Sequence, residues 1–234
     1  MRHSIATEAP QLGVLAAMFA FAAFAWSTAG SELPVHWNLA GEPDRYAGRF
    51  EALLGVPLIA TALYVLLLVL PRFDPRGESY ERFATPYKVL RTAVILLIAA
   101  VYAAMQVEIR GSSMPIQTVA LCGVGSLLFV VGNLLGKIRP NWFVGIRTPW
   151  TLTSRTAWIR THRVGGWVFI LLGVAMATAG LLQSPRATTA AIGLALSSVA
   201  GLTAYSYFVW RSDPCKEAPD DPHDDAGARE LETR

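Results

Sequence analysis

Residues 132–166 read GNLLGKIRPNWFVGIRTPWTLTSRTAWIRTHRVGG, and their reading decides the fold. The stretch holds six basic residues (Lys137, Arg139, Arg147, Arg155, Arg160 and Arg163) and no acidic one. Apolar runs flank it on both sides. A loop of this kind belongs on the cytoplasmic side of a membrane, where Lys and Arg accumulate between spans. Its density of Asn, Gly, Pro and Trp is too particular for a simple tether.

The rest of the chain agrees with a membrane setting. Of its 234 residues, 53% are hydrophobic and 16% are charged, against about 25% charged in soluble domains. The pI of about 9.0 needs no nucleic acid, because the basic residues sit in loops beside apolar runs. A hydrocarbon core ~30 Å thick takes ~20 apolar residues in a helix. Six segments meet that length or nearly so: 11–28, 52–70, 90–107, 116–135, 166–182 and 188–210. Arg91, at the mouth of the third, is their one charged residue. The expected fold is all-α: a polytopic membrane bundle of six transmembrane helices. Met1-Arg2-His3 ahead of an apolar run resembles a signal peptide. The run is longer than the usual ~7–15-residue core of one, so an uncleaved first helix is expected.

Lys and Arg fall unevenly on the loops. Placing the N-terminus inside puts sixteen inside and four outside, so both termini are expected to be cytoplasmic. Organisation follows the spans: residues 1–110 form an N-terminal three-span region, 111–211 a C-terminal one, and 212–234 a tail. The tail has eight acidic residues against three basic after Arg211 and reads as disordered. Cys122 lies in an apolar run and Cys215 in the tail, so no disulfide is expected between them.

Small residues mark the expected helix seams, since helices in lipid associate through close backbone approach. They are Gly123, Gly125, Gly132 and Gly136 in the fourth span, Gly166, Gly173 and Gly180 in the fifth, and Ser197 with Gly201 in the sixth. No span contains an acidic residue or a histidine in this reading, which argues against an ion-coupled transporter.

Two loops hold the chemistry. The outer one, residues 31–49, gathers His36, Trp37, Asn38, Glu42, Asp44, Arg45 and Tyr46, with a turn at residues 38–41 that suits Gly41. One histidine with carboxylates matches no standard metal spacing, so no metal is expected. The inner loop is broken by Pro140 and Pro149. Thr153 or Ser154 can cap a short helix leading into the fifth span, on which Trp158 and His162 share a face. Trp142, Trp150 and Trp158 suit the membrane interface. The arginines suit lipid headgroups or a docked cytoplasmic protein. His36 and His162 stand about a bilayer apart, and no catalytic or phosphate-loop motif is present. An enzyme is not expected, nor a cofactor.

Residues 132–166 resemble the signature of the Sdp-type immunity protein family of bacterial six-span membrane proteins. The matching residues are Gly132-Asn133, Gly136-Lys137-Ile138-Arg139-Pro140-Asn141, Gly145-Ile146-Arg147-Thr148-Pro149-Trp150-Thr151, Trp158, and Thr161-His162-Arg163 with Gly165-Gly166. Leu33-Pro34-Val35-His36-Trp37-Asn38 and Gly41-Glu42-Pro43-Asp44 resemble the uncharacterised N-terminal domain usually found with that signature. One departure is visible: Ser154-Arg155-Thr156-Ala157 precede Trp158, where the family often has acidic residues.

The resemblance implies a plasma (inner) membrane protein that protects against a secreted membrane-active peptide. It further implies two partners, the peptide toxin outside and a transcriptional repressor held at the membrane inside, with no direct contact to nucleic acid. Membrane lipid is the remaining partner. The candidate outer contacts are His36, Trp37, Asn38, Glu42 and Asp44. The candidate inner contacts are Asn141, Arg147, Thr148, Trp150, His162 and Arg163. Two rivals stand beside immunity: a small-solute or lipid transporter, and a membrane enzyme using the outer His–carboxylate group. The oligomeric state is left open.

Overall fold

The computed structural model describes residues 5–38, 40–111 and 115–216. The expected disordered acidic tail lies, from residue 217 onward, outside the described residues. In chain order the elements are α1 (Ile5–Ala25), β1 (Leu33–Trp37), β2 (Pro43–Ala47), a π-helical turn (Glu51–Gly55) running into α2 (Val56–Phe73), α3 (Ser79–Arg82), α4 (Ala84–Ile109), α5 (Ile116–Leu135), α6 (Pro149–Thr153), α7 (Arg155–Leu182) and α8 (Pro185–Arg211).

Among the described residues six helical stretches are long and apolar enough to cross a membrane: Thr7–Ala25, Glu51–Phe73, Ala84–Ile109, Ile116–Leu135, Arg155–Leu182 and Pro185–Arg211. The third and fifth start well before residues 90 and 166, where the apolar runs begin. α7 starts early because Ser154 caps it, accepting from Ala157 N–H at 3.0 Å. It then runs through Gly165-Gly166 without a break, because those glycines serve packing and not a turn.

Antiparallel α5 and α7 pack backbone to backbone. A Cβ on Gly125 would lie 2.6 Å from the Gly173 carbonyl oxygen, and one on Gly132 would lie 2.6 Å from that of Gly166. The two pairs are seven residues apart on each helix, so one seam repeats every two turns. Gly136, Ser197 and Gly201 do not join a seam. A Cβ on Gly136 or Gly201 would meet nothing within 4 Å, and Ser197 is exposed, donating to Gly193 O.

The N-terminal helices are joined differently. α2 contains Pro57 and Pro71, each lacking the N–H that would close a bond to the carbonyl four residues back. Those carbonyls belong to Leu53 and Leu67. Tyr102 Oη of α4 donates to Leu53 O at 2.9 Å, and Tyr87 Oη to Leu67 O at 2.5 Å. Gln106 Nε2 donates to Ala52 O in the π-helical turn at 2.9 Å. In lipid a freed carbonyl must find an internal partner, so two prolines on one helix are matched by two tyrosines on the next.

A short two-stranded antiparallel sheet adds to the helical fold. β1 and β2 pair Leu33 with Ala47, Pro34 with Tyr46, His36 with Arg45 and Trp37 with Pro43. Asn38 makes the connection: its backbone N–H donates to Glu42 O, and its Oδ1 accepts from Ala40 and Glu42 N–H at 2.8 and 3.1 Å. Gly41 sits at φ +83°, a region that favours glycine.

The connections sort to two ends of the bundle. At one end Trp37 of the hairpin bonds Glu108 at the end of α4. At the other, hydrogen bonds join Asp74, Tyr80 and Asn141, and a separate one joins Ser154 to Asp213; these connections form a cap.

Candidate functional site

At the hairpin end the five candidate residues have different placements. Trp37 is half-buried and donates from Nε1 to Glu108 Oε1 at 2.8 Å, tying the hairpin to α4. Asn38 is spent on the turn, and its Nδ2 donates to Glu42 Oε2 at 3.2 Å. Arg45 pairs with Glu51 at 2.7 Å, fixing the base of the second strand. His36 Nδ1 and Asp44 Oδ1 meet at 2.5 Å on the exposed surface. Glu42 accepts from Asn38. No group of three or more His, Cys, Asp or Glu able to hold a metal occurs among the described residues. The hairpin is thus a braced platform presenting His36, Asp44 and exposed Tyr46.

At the cap end the geometry is built around Asn141, which is fully buried. Its Oδ1 accepts from Phe143 and Val144 N–H at 2.9 and 2.6 Å, and its Nδ2 donates to Val144 O and Arg139 O. This amide therefore ties off a loop that has no regular structure to satisfy it. Asp74 does the same from the preceding connection, accepting from Trp142 N–H at 3.0 Å and Tyr80 Oη at 2.9 Å. Burial and the Asp74 carboxylate push the Tyr80 phenol above its ordinary range.

His162 is buried on α7 and stacks on Trp158, with ring centroids 4.0 Å apart. Its Nε2 accepts from Ile146 N–H at 3.0 Å, and Nδ1 donates to Trp158 O at 2.8 Å. An N–H aimed at Nε2 leaves that atom no proton, so the ring is held as the neutral Nδ1–H tautomer. Gly145 beside it has φ +112°, and any Cβ there would run into the imidazole. Thr148 caps α6 in a reciprocal box with Thr151, and its hydroxyl meets Ser206 of α8 at 3.0 Å. Ser154 donates to Asp213 at 2.5 Å.

Three of the six inner candidates, Asn141, Thr148 and His162, are therefore buried in the frame of the cap. Arg147 and Arg163 are exposed. Trp150 is half-buried and packs edge-on against Tyr207 of α8, centroids 5.2 Å apart. Arg147 donates to Trp142 O at 2.9 Å, and the Arg76 guanidinium lies 5.8 Å from the Trp142 ring. With exposed Lys137, Arg139 and Arg160, the outer surface of the cap is basic and aromatic over a buried, hydrogen-bonded floor.

Sequence reasoning did not find Asp74, Tyr80 or Glu8. Asp74 was legible as the acid between Arg72 and Arg76 in a basic connection. Glu8 reads in sequence as part of a polar N-terminal segment, yet α1 carries it into the bundle, where it is buried. Tyr64 Oη and Arg91 Nη2 donate to its two oxygens at 3.1 and 2.8 Å. The helical stretches are longer than the apolar runs and take in Glu8, Glu51, Glu108 and His162, so the expectation that no carboxylate or histidine lies within the spans is corrected; of these four, Glu8 and His162 are buried.

Residues 137–206 match the SdpI/YfhL protein family, and residues 13–61 match a domain of unknown function, DUF1648. Its C-terminal half carries the SdpI/YfhL family signature. No curated protein and no solved structure matches it. The SdpI/YfhL match opens at Lys137, spans α6 and α7, and ends on Ser206, the residue of α8 that bonds Thr148. The DUF1648 match covers most of α1, the hairpin and the π-helical turn. Family and spans together make this a multi-pass protein of the bacterial plasma membrane, of an immunity type at the level of the family.

Proposed function

We propose that this protein protects the plasma membrane against a secreted membrane-active peptide, without catalysis. The observation that carries the reading is the pairing of two hydrogen-bonded, chemically distinct surfaces at opposite ends of one bundle. The hairpin end is proposed to be extracytoplasmic, since it holds few of the basic residues. Its exposed His36–Asp44 pair and Tyr46 meet the peptide, while Trp37, Asn38 and Glu42 hold the platform in shape. The cap end is cytoplasmic in this proposal. Arg147, Arg163 and Trp150 form its contact surface for a repressor-like protein, and Asn141, Thr148 and His162 position that surface.

The test is survival. A peptide-sensitive host expressing the chain is challenged with a panel of secreted membrane-active peptides. Protection against at least one peptide is expected, reduced by H36A/D44N with membrane level and melting temperature unchanged. Equal killing across the panel with and without the chain removes the immunity reading. Partner capture has its own arm: R147A/R163A should abolish recruitment of a cytoplasmic regulator while leaving protection intact.

A further inference from the structure

We propose that a groove between α1 and α4 binds one acyl chain of an anionic phospholipid, with Arg110 holding its phosphate. The groove has a volume of about 410 Å³, within the ~300–1,000 Å³ of typical ligand pockets. Val14, Met18 and Phe21 line it from α1, and Ala99, Ala103 and Val107 from α4. Besides Arg110 at its end, two lining residues carry polar groups, Tyr102 and Gln106, and both are committed elsewhere. The Tyr102 hydroxyl donates to Leu53 O and the Gln106 amide to Ala52 O, both in the turn preceding α2. What faces the groove is therefore hydrocarbon. Ala17 and Ala103 on its rims are exposed, so it opens sideways toward lipid.

One charge completes it. Arg110 is the first residue beyond the Ala84–Ile109 span, at headgroup depth, and is exposed. Its Nη1 donates to Gln106 O at 2.6 Å, and the guanidinium carbon lies 4.6 Å from the centre of the Phe21 ring. These contacts hold the guanidinium across the groove's end. Among the described residues it forms no ion pair. An apolar slot ending in a fixed, unneutralised cation is complementary to an amphiphile with an anionic head. On α4 the slot runs from Ala99 to Arg110, about 16 Å of helix, enough for the upper half of an acyl chain. This site rests neither on the immunity reading nor on which end of the bundle faces out.

The test uses the full chain in detergent, with bound lipid counted by native mass spectrometry. The probes are palmitoyl-oleoyl phosphatidylglycerol and the matching phosphatidylcholine. One phosphatidylglycerol should be retained in preference. R110Q should lower its retention about tenfold, as expected for loss of one charge-assisted contact, and lower the weaker phosphatidylcholine retention much less, because choline offsets the charge of the same phosphate. A103F and A17F each fill the groove from an exposed rim and should remove both lipids; two variants guard against one failing to fold, which the melting temperature reports. Unchanged phosphatidylglycerol retention in R110Q, or retention surviving both groove-filling changes, overturns the proposal. So does displacement by glycerol phosphate alone, which would mark a free-anion site. Binding of a cationic amphipathic peptide in the groove, with no lipid retained, would equally replace the lipid assignment.

Discussion

Arg91 of α4 donates from Nη2 to Glu8 Oε1 of α1 at 2.8 Å, and the two side chains are buried, 83 residues apart in sequence. Tyr64 of α2 donates to the other Glu8 oxygen, so one carboxylate joins three helices. The Tyr87 ring lies 5.6 Å from the guanidinium carbon and covers it on a further side. An unpaired charge here has no water to turn to. E8Q or R91M alone should therefore cost about 3–5 kcal/mol, whereas E8L/R91M should recover most of that loss. Chemical unfolding in detergent measures both. Equal losses for the single and double variants would show that the pair is not what joins the helices.

The proline–tyrosine matches predict a specific non-additivity. Y102F leaves the Leu53 carbonyl without a donor and should cost about 1–3 kcal/mol. P57A returns an N–H to α2 in reach of that carbonyl, so Y102F should cost less in the P57A background. The same cycle applies to Tyr87 with Pro71. Strict additivity in unfolding experiments would mean that the tyrosines do not stand in for the missing backbone donors.

How far these features were legible differs element by element. The six spans are legible because lipid demands about 20 apolar residues per helix. The hairpin strands are not: LPVHW and PDRYA each contain a proline and lack a clean alternation, which only a two-stranded sheet of edges tolerates. Asn141, Thr148 and His162 stand out by residue type, but type does not say whether a side chain faces in or out. Burial assigns all three to the frame of the cap. The glycine repeat of α7 was legible as a seam. Gly136 and Gly201 fit the same pattern yet face open space, because spacing along one helix does not reveal where its neighbour lies.

That contrast can be measured. G125A and G173A each place a methyl group 2.6 Å from a facing carbonyl oxygen, so α5 and α7 must separate. Each should cost about 1–3 kcal/mol as an overpacking change. G136A and G201A, with open space around them, should stay within about 0.5 kcal/mol of the parent. Similar melting temperatures for all four would argue that α5 and α7 do not touch at these glycines.

The neutral imidazole of His162 gives a test confined to the cap. Ile146 N–H needs an acceptor at Nε2, and the Gly145 backbone passes beside that atom. G145A combines a strained φ with a collision, so it should cost at least about 1–3 kcal/mol and loosen the loop from residue 141 to 148. Hydrogen exchange should show that loop opening while the α5–α7 seam stays protected. H162Q keeps a carbonyl acceptor near Ile146 and should be milder than H162A. The reverse order would mean that ring stacking on Trp158, and not the Ile146 bond, is what the histidine supplies.

Sidedness is the last expectation, and the chain supplies its own reporter. Cys215 lies exposed beside the cap, and Cys122 is half-buried in α5; both are free thiols. In a C122S background Cys215 should react with a membrane-impermeant maleimide only after the cells are opened, since the arginine-rich end belongs inside. S31C, placed in the exposed approach to β1 with Cys215 changed to serine, should react on intact cells. Labelling of both positions from the same side would contradict an odd number of crossings between them and withdraw the assignment of the hairpin to the peptide and the cap to an inner partner.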